Sequence, residues 1–191
     1  MLSALILSGG ESSRMGTDKA LLKLGEKVLI EKIVNIAMSV AQQVYVLSPW
    51  PERYQSVLPS SCQLLLEVKS NDLSHGPLIA FAQALPQIES EWILLLACDL
   101  PNLSSEVLGH GYSSLPTKAI AYLAESDFGW EPLCGFYRKT CYESLLNYLH
   151  TGGKSFQGWL NSITVEKWKI TDRSILFNCN SPDDLHGIMK F

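Results

Sequence analysis

Two glycines and two cationic side chains follow the first apolar run of the chain. The run covers residues 2–7; Gly9 and Gly10 come after it, and Arg14 and Lys19 lie further along the same segment. Glycines let a backbone turn tightly and bring its N–H groups against a phosphate. Arginine offers a planar fork of donors and lysine a compact charge. The segment therefore predicts a phosphate-binding loop at the end of a strand.

Its spacing excludes two common nucleotide motifs. Gly9 is not followed by the GxGxxG spacing of a dinucleotide-binding fold, and no Gly-Lys-Ser/Thr closes the loop as in a P-loop. Gly153, Lys154 and Ser155 have the P-loop ending, but Tyr148 occupies the position of the first glycine, and a predicted helix precedes them. We therefore do not interpret them as an NTP site.

A carboxylate follows another apolar run. Asp99 comes directly after residues 92–98, and Pro101 stiffens the turn behind it. Mg²⁺ takes one or two protein carboxylates, while phosphates and waters complete its shell. An isolated Asp-x-Pro is also typical of a helix or turn cap. The glycine loop at the same expected sheet edge favours the metal site.

Two asparagines near the end of the sequence have three interpretations. Asn178 and Asn180 supply either a second metal ligand or an acceptor contact, while an Asx turn leading to Pro182 accounts for them equally well.

Alternating apolar runs and amphipathic segments predict an α/β fold. We expect one domain over residues 1–191, with a mostly parallel sheet between helices. The expected strands are 2–7, 44–47, 64–68, 92–98, 119–124, 133–137, 165–170 and 175–177. The expected helices are 29–41, 77–85, 139–150, 156–160 and 182–190. Ligands of such sheets bind at the carboxyl ends of the strands, where Gly9, Gly10 and Asp99 fall.

Composition narrows the class of protein further. The 191 residues are 47% hydrophobic with a net charge of −4, and there is no basic run, so a nucleic-acid surface is not expected. No apolar stretch is long enough for a membrane span, and the first apolar run is too short for a secretory signal. The five cysteines lack metal-ligand spacing, which favours a reduced, cytoplasmic protein.

The pattern L-x-G-G-x-S-x-R-M-G-x-D-K, from Leu7 to Lys19, resembles the signature of the molybdenum cofactor guanylyltransferases. This family belongs to the nucleotidyltransferases, which have a Rossmann-like three-layer α/β/α fold. The resemblance covers essentially the whole chain. It continues in Gly76-Pro77-Leu78, Cys98-Asp99-Leu100-Pro101, Glu131-Pro132-Leu133 and residues 178–185.

The resemblance implies an activity. Family members transfer GMP from GTP to molybdopterin that carries molybdenum, and they release diphosphate in the presence of Mg²⁺. Proteins of molybdenum insertion and molybdoenzyme maturation are expected partners. The implied nucleotide contacts are Leu7, Ser8, Gly9, Gly10, Lys19, Asp72 and Asp99. The implied catalytic residues are Arg14, Lys19 and Asp99, with Asp99 also holding the metal. The family tends to be basic where it binds the acceptor's phosphate, which implies a contact from Lys154; a solvated lysine at a helix end explains this residue equally well.

The chain departs from the family pattern at two positions. Ser8 stands where the family usually has alanine, which a main-chain contact would tolerate. Ser48-Pro49 stands where the family often has asparagine, so a nucleotide contact expected there is in question.

Other functions remain open from the sequence. CTP in place of GTP, or a sugar or polyol phosphate as the acceptor, would use the same chemistry. A nucleotide-sugar glycosyltransferase would usually carry a second acid, but Ala97 lies two residues before Asp99. A non-catalytic nucleotide-binding or docking module is disfavoured because Lys19 and Asp99 are both present.

Overall fold

A seven-stranded sheet lies at the centre of the structure, a computed structural model that describes residues 1–9, 18–68 and 76–179. Its strand order is β5-β4-β1-β6-β8-β7-β9. The strands are β1 (Leu2–Leu7), β4 (Gln43–Ser48), β5 (Gln63–Leu66), β6 (Trp92–Ala97), β7 (Ala121–Ser126), β8 (Gly129–Arg138) and β9 (Val165–Lys167); a separate hairpin pairs β2 (Lys23–Leu24) with β3 (Lys27–Val28). The helices are α1 (Leu29–Met38), α2 (Pro77–Ala84), α3 (Ser105–Ser113), α4 (Cys141–His150) and α5 (Phe156–Leu160).

The strands β5, β4, β1 and β6 run parallel. Every residue of β1 and β6 is buried, because both strands are covered on their two faces. The continuous apolar runs in the sequence predict such strands, and this part of the prediction is confirmed. Parallel pairing places the carboxyl ends of all four strands at one edge of the sheet, which we call the site edge.

The strand β8 runs antiparallel to both β6 and β7. Its pairing with β6 ends at Cys134, and the register with β7 shifts between Leu123 and Glu125. Pro132 lies beside this irregularity, where its missing N–H breaks no regular ladder. The first residues of β8 and the last residues of β7 therefore also lie at the site edge.

Helices cover both faces and confirm the three-layer α/β/α prediction. The helices α1 and α3 pack on one face, where Ile33, Val34 and Leu108 join the buried side chains of the sheet. The helices α2, α4 and α5 pack on the other, with Phe81, Leu145 and Trp159 in a second core. No described helix is long and apolar enough to cross a membrane.

Three elements differ from the prediction. The helix α3 and the hairpin of β2 and β3 were not expected. Residues 175–177 were expected to be a strand, which is wrong, because Arg173–Leu176 form a 3₁₀ helix capped by the carboxylate of Asp172. The expected helix 182–190 lies outside the described residues.

Candidate functional site

Two neighbouring central strands end side by side at the site edge. Leu7, the last residue of β1, pairs with Ala97, the last residue of β6. Ser8 and Gly9 therefore leave the sheet next to Asp99, although the two segments are far apart in the sequence. This juxtaposition agrees with the prediction that the glycine loop and Asp99 share one sheet edge.

The main chain after β1 is held tightly. Ser8 is buried, and its N–H donates to the carbonyl of Leu47 at 2.9 Å. A Cβ at Gly9 would lie 2.7 Å from Cδ of Pro49 and 2.8 Å from Oε2 of Glu67. Position 9 consequently accepts no side chain. The ring of Pro49 forms a wall beside the glycine.

Lys19 enters the site on a short, capped turn. It begins the 3₁₀ helix Lys19–Leu21, and Oδ1 of Asp18 caps this turn by accepting from the N–H of Ala20 at 3.1 Å. Burial raises the pKa of Asp99, and the positive charge of Lys19 opposes part of this rise. The cation and the carboxylate therefore belong to one electrostatic environment.

Burial dominates the titration of Asp99. It raises the pKa of this carboxyl above its usual range, while the residue's own backbone N–H and the charge of Lys19 oppose the shift. Among the described residues, no group of three or more metal-ligating side chains gathers around it. A single desolvated carboxylate fits Mg²⁺, which obtains most of its oxygen ligands from phosphates and water.

The segment after β6 is fixed from two sides. The N–H of Cys179 donates to the carbonyl of Asp99 at 2.9 Å, and Nζ of Lys32 in α1 donates to the carbonyl of Pro101 at 2.6 Å. The first contact brings the exposed Asn178 next to Asp99. The contact of Asn178 with the metal or the acceptor stays a prediction.

Lys154 lies exposed in the loop that follows α4. Gly152 has a φ of +86°, which is typical of a helix end, and Oγ of Ser155 accepts from the N–H of Gly158 to cap α5. Residues 152–155 therefore lie between two helices, whereas a P-loop connects a strand to a helix.

Sequence reasoning missed a tyrosine at this site. Tyr54 is buried, and its hydroxyl accepts a hydrogen bond from Oγ of Ser8 at 2.9 Å and donates one to Oδ2 of Asp18 at 2.9 Å. Burial, the largest effect, raises the pKa of Tyr54 to about 12. No motif marks this residue, because its role depends on tertiary contacts. The carboxylate of Glu67 beside Gly9 was missed for the same reason.

Four residues of the sequence prediction lie outside the described residues. They are Gly10, Arg14, Asp72 and Asn180. Their proposed roles stay predictions.

Similarity to known proteins covers nearly the whole chain. Residues 4–164 match the family model of the MobA-like NTP transferase domain. A probable molybdenum cofactor guanylyltransferase of Trichormus variabilis is 49% identical over 187 residues, which are 96% of this chain and 88% of the relative. A protein of the same name from Synechococcus elongatus is 45% identical over 189 residues, 97% of each chain.

Solved structures share the fold at low identity. Molybdopterin-guanine dinucleotide biosynthesis protein A from Archaeoglobus fulgidus superposes with a TM-score of 0.74 at 21% identity, covering 98% of this chain and 97% of that one. Rv0371c of Mycobacterium tuberculosis gives a TM-score of 0.78 at 13% identity, covering 100% and 97%. Because their identities are low, these solved structures support the architecture alone. The family model and the relatives above 40% identity also show similarity of sequence. This chain belongs to the MobA-like NTP transferase family of nucleotidyltransferases.

Proposed function

We propose that this protein transfers GMP from GTP to molybdenum-molybdopterin and releases diphosphate. The observation that carries the proposal is the pairing of Leu7 with Ala97, which brings the glycine turn and Asp99 to one edge of the sheet. Lys19 acts on the same carboxylate electrostatically. Relatives at 45–49% identity that carry the name molybdenum cofactor guanylyltransferase support the choice of substrates.

The reaction needs no nucleophile from the protein. An oxygen of the acceptor's terminal phosphate attacks the α-phosphorus of GTP and forms a new P–O bond. The bond between the α-phosphorus and the bridging oxygen breaks, and its electron pair leaves with the diphosphate. The chain has to hold two anions in line and to stabilise the charge on the leaving group.

Each proposed residue has one task. The backbone of Leu7, Ser8, Gly9 and Gly10 binds the nucleotide, and Asp72 adds a contact. Lys19 and Arg14 stabilise the negative charge that develops on the diphosphate. Asp99 would hold Mg²⁺, which supplies positive charge that offsets the repulsion between the two substrates.

The residues that contact the acceptor are proposed from their positions alone. Asn178 lies exposed beside Asp99, which suits a contact with the acceptor or the metal. Lys154 is exposed between α4 and α5, which leaves its charge available for a phosphate. Both assignments can be tested by the effect of alanine substitution on the KM of the acceptor.

We also propose where the protein works. All five cysteines are free, which suits a reducing compartment, and we place the enzyme in the cytoplasm. Its acceptor already carries molybdenum and its product is a finished cofactor. The proposed partners are therefore proteins of molybdenum insertion, which supply the acceptor, and proteins of molybdoenzyme maturation, which receive the product.

Diphosphate release with GTP, Mg²⁺ and molybdenum-molybdopterin tests the proposal directly. Release that requires all three components supports it. Release with CTP but not GTP would assign the protein as a cytidylyltransferase. Release with a sugar or polyol phosphate in place of molybdopterin would overturn the assignment of molybdopterin as the acceptor.

A thermal-shift panel separates the nucleotides without the acceptor. A ligand at 100 times its Kd adds about 2.7 kcal/mol of stability. At about 2–4 °C per kcal/mol for a chain of this size, Tm should rise by roughly 5–11 °C. We expect this shift with GTP and Mg²⁺ and a smaller one with CTP. No shift with any NTP would favour a docking module.

A further inference from the structure

The hydroxyl of Tyr54 joins the two ends of the glycine loop. Ser8, at the start of the loop, donates to it at 2.9 Å, and it donates to Asp18, at the far end, at 2.9 Å. The ring of Tyr54 is buried in the core below the sheet edge, so the hydroxyl is a fixed point. Ser8 and Asp18, ten positions apart in the sequence, are thus both held by one side chain.

The carboxylate of Asp18 has partners on both oxygens. Oδ1 caps the turn of Lys19 through the N–H of Ala20 at 3.1 Å, while Oδ2 accepts from Tyr54 and lies 3.8 Å from the guanidinium of Arg53. Arg53 also stacks over the ring of Trp50, with 4.5 Å from Cζ to the ring centroid. This arrangement fixes the residue that immediately precedes Lys19.

Fixing Asp18 has a consequence for Lys19. The ammonium group sits on a long, flexible stem, and a phosphate contact must hold that stem in one place. A backbone already held in its bound position reduces the entropy that nucleotide binding would otherwise have to offset. The same argument applies to Ser8, because its backbone is another proposed contact with the nucleotide.

We propose that Tyr54 is a positioning residue for the nucleotide: its hydroxyl holds Asp18, and through it Lys19, in register with the backbone of Ser8. The inference rests on the proposed GTP site. Tyr54 touches neither substrate in this role and acts only through the two ends of the loop.

Tyr54→Phe tests the proposal because it removes the hydroxyl and keeps the ring. A hydrogen bond to a charged group corresponds to about 10- to 100-fold in an equilibrium constant. We expect the KM for GTP and the Kd for GTP with Mg²⁺ to rise about tenfold, with the KM for the acceptor unchanged. A merely structural hydroxyl would lower Tm and leave the KM for GTP at the wild-type value, which would overturn the proposal.

Tyr45→Phe is the matched control. Tyr45 is a second buried tyrosine, in β4, whose hydroxyl donates to Gln43 at 2.5 Å at the start of that strand, away from the site edge. We expect this variant to keep the wild-type KM for GTP. An equal rise in both variants would mean that any loss of a tyrosine hydroxyl loosens the protein, and the specific role of Tyr54 would be wrong.

A double-mutant cycle makes the coupling explicit. If Tyr54 acts through Asp18, Tyr54→Phe should add little to the defect of Asp18→Ala, because the link is already cut. Two independent tenfold effects that multiply would overturn the proposal. If wild type and Tyr45→Phe bind no nucleotide at all, the GTP site itself is wrong; if both bind GTP and Tyr54→Phe binds it equally well, only the role of Tyr54 is wrong.

Discussion

Asp99 is kept in an environment that disfavours its charged form. Burial raises the pKa of this carboxyl, and the nearby charge of Lys19 offsets only part of the effect. A carboxyl with a raised pKa binds its proton more tightly in the folded protein than in the unfolded chain. Its contribution to folding stability therefore falls as the pH rises through the raised pKa.

Asp99→Asn should consequently stabilise the ligand-free protein while it abolishes most activity. At pH 7 in the presence of a chelator, we expect the variant to have a higher Tm than wild type, because an amide carries no charge to desolvate. The difference should shrink as the pH is lowered and the wild-type carboxyl takes up its proton. A Tm below wild type across pH 5–8 would contradict this explanation.

Lys19→Ala should remove a donor aimed at the leaving group. Such a loss typically reduces kcat by about 10²–10³. We expect this reduction in a diphosphate-release assay, with a folded protein by circular dichroism. Lys118→Ala is the control, since Lys118 is an exposed lysine that precedes β7 at the edge opposite the site. Near wild-type turnover by Lys19→Ala would contradict the proposed catalytic role of Lys19.

The sequence predicts those site residues whose type carries the chemistry. Gly9 and Asp99 are recognisable because a glycine turn and a carboxylate follow apolar runs, and Lys19 because a cation lies further along the segment that Gly9 begins. Tyr54 and Glu67 are ordinary residues in the sequence. Their importance comes from contacts across the fold, such as that of Tyr54 with Asp18, 36 positions away.

At the scale of the elements, α3 depends on a glycine. A Cβ at Gly111 would lie 2.6 Å from Cζ2 of Trp168 and 2.8 Å from Cε2 of Phe136. The helix therefore packs its backbone directly against the aromatic side chains of the sheet. Gly109, two residues earlier in the same helix, has no neighbour within 4 Å of an added Cβ.

The two glycines should respond in opposite directions to alanine. Gly111→Ala overpacks the core and should cost about 1–3 kcal/mol in the free energy of unfolding. Gly109→Ala gains helix propensity without a clash and should add up to about 1 kcal/mol. Urea denaturation measures both. A stabilised Gly111→Ala would mean that Trp168 moves away freely.

The helix α3 also shows why some elements cannot be predicted from the sequence. Within α3, only Leu108 and Gly111 are buried, and two glycines interrupt the apolar spacing, so periodicity gives no signal. The hairpin of β2 and β3 has two residues per strand, too few for a pattern. By contrast, β6 is apolar throughout and β1 carries one polar residue, Ser3, so both strands were predictable to within one residue at each end.

At the scale of the whole molecule, the cysteines report on the integrity of the fold. All five are free. Burial raises the pKa of Cys98, Cys134 and Cys141 to about 12 and that of Cys62 to about 11. Since the thiolate is the reactive form, folding protects these thiols both by covering them and by keeping them protonated.

Thiol labelling should therefore follow global unfolding. We expect a disulfide reagent at pH 8 to modify the native protein slowly and to modify all five thiols rapidly in denaturant. GTP with Mg²⁺ should slow labelling further, because a ligand that binds only the folded state lowers the population of the open one. Rapid modification of any of these four thiols in the native protein would show a local opening at that position.

The pairing of Leu7 with Ala97 also determines how long β1 must wait for its neighbouring strand during synthesis. A ribosome that adds about 5–20 residues per second needs roughly 5–18 s to travel from one position to the other. During that interval, β1 has been made but lacks the neighbour that covers one of its edges. The nascent chain must keep this strand, in which Ser3 is the one polar residue, from aggregating until β6 emerges. Slower growth at lower temperature and chaperone supply should thus influence the yield of soluble enzyme more than any change at the site edge.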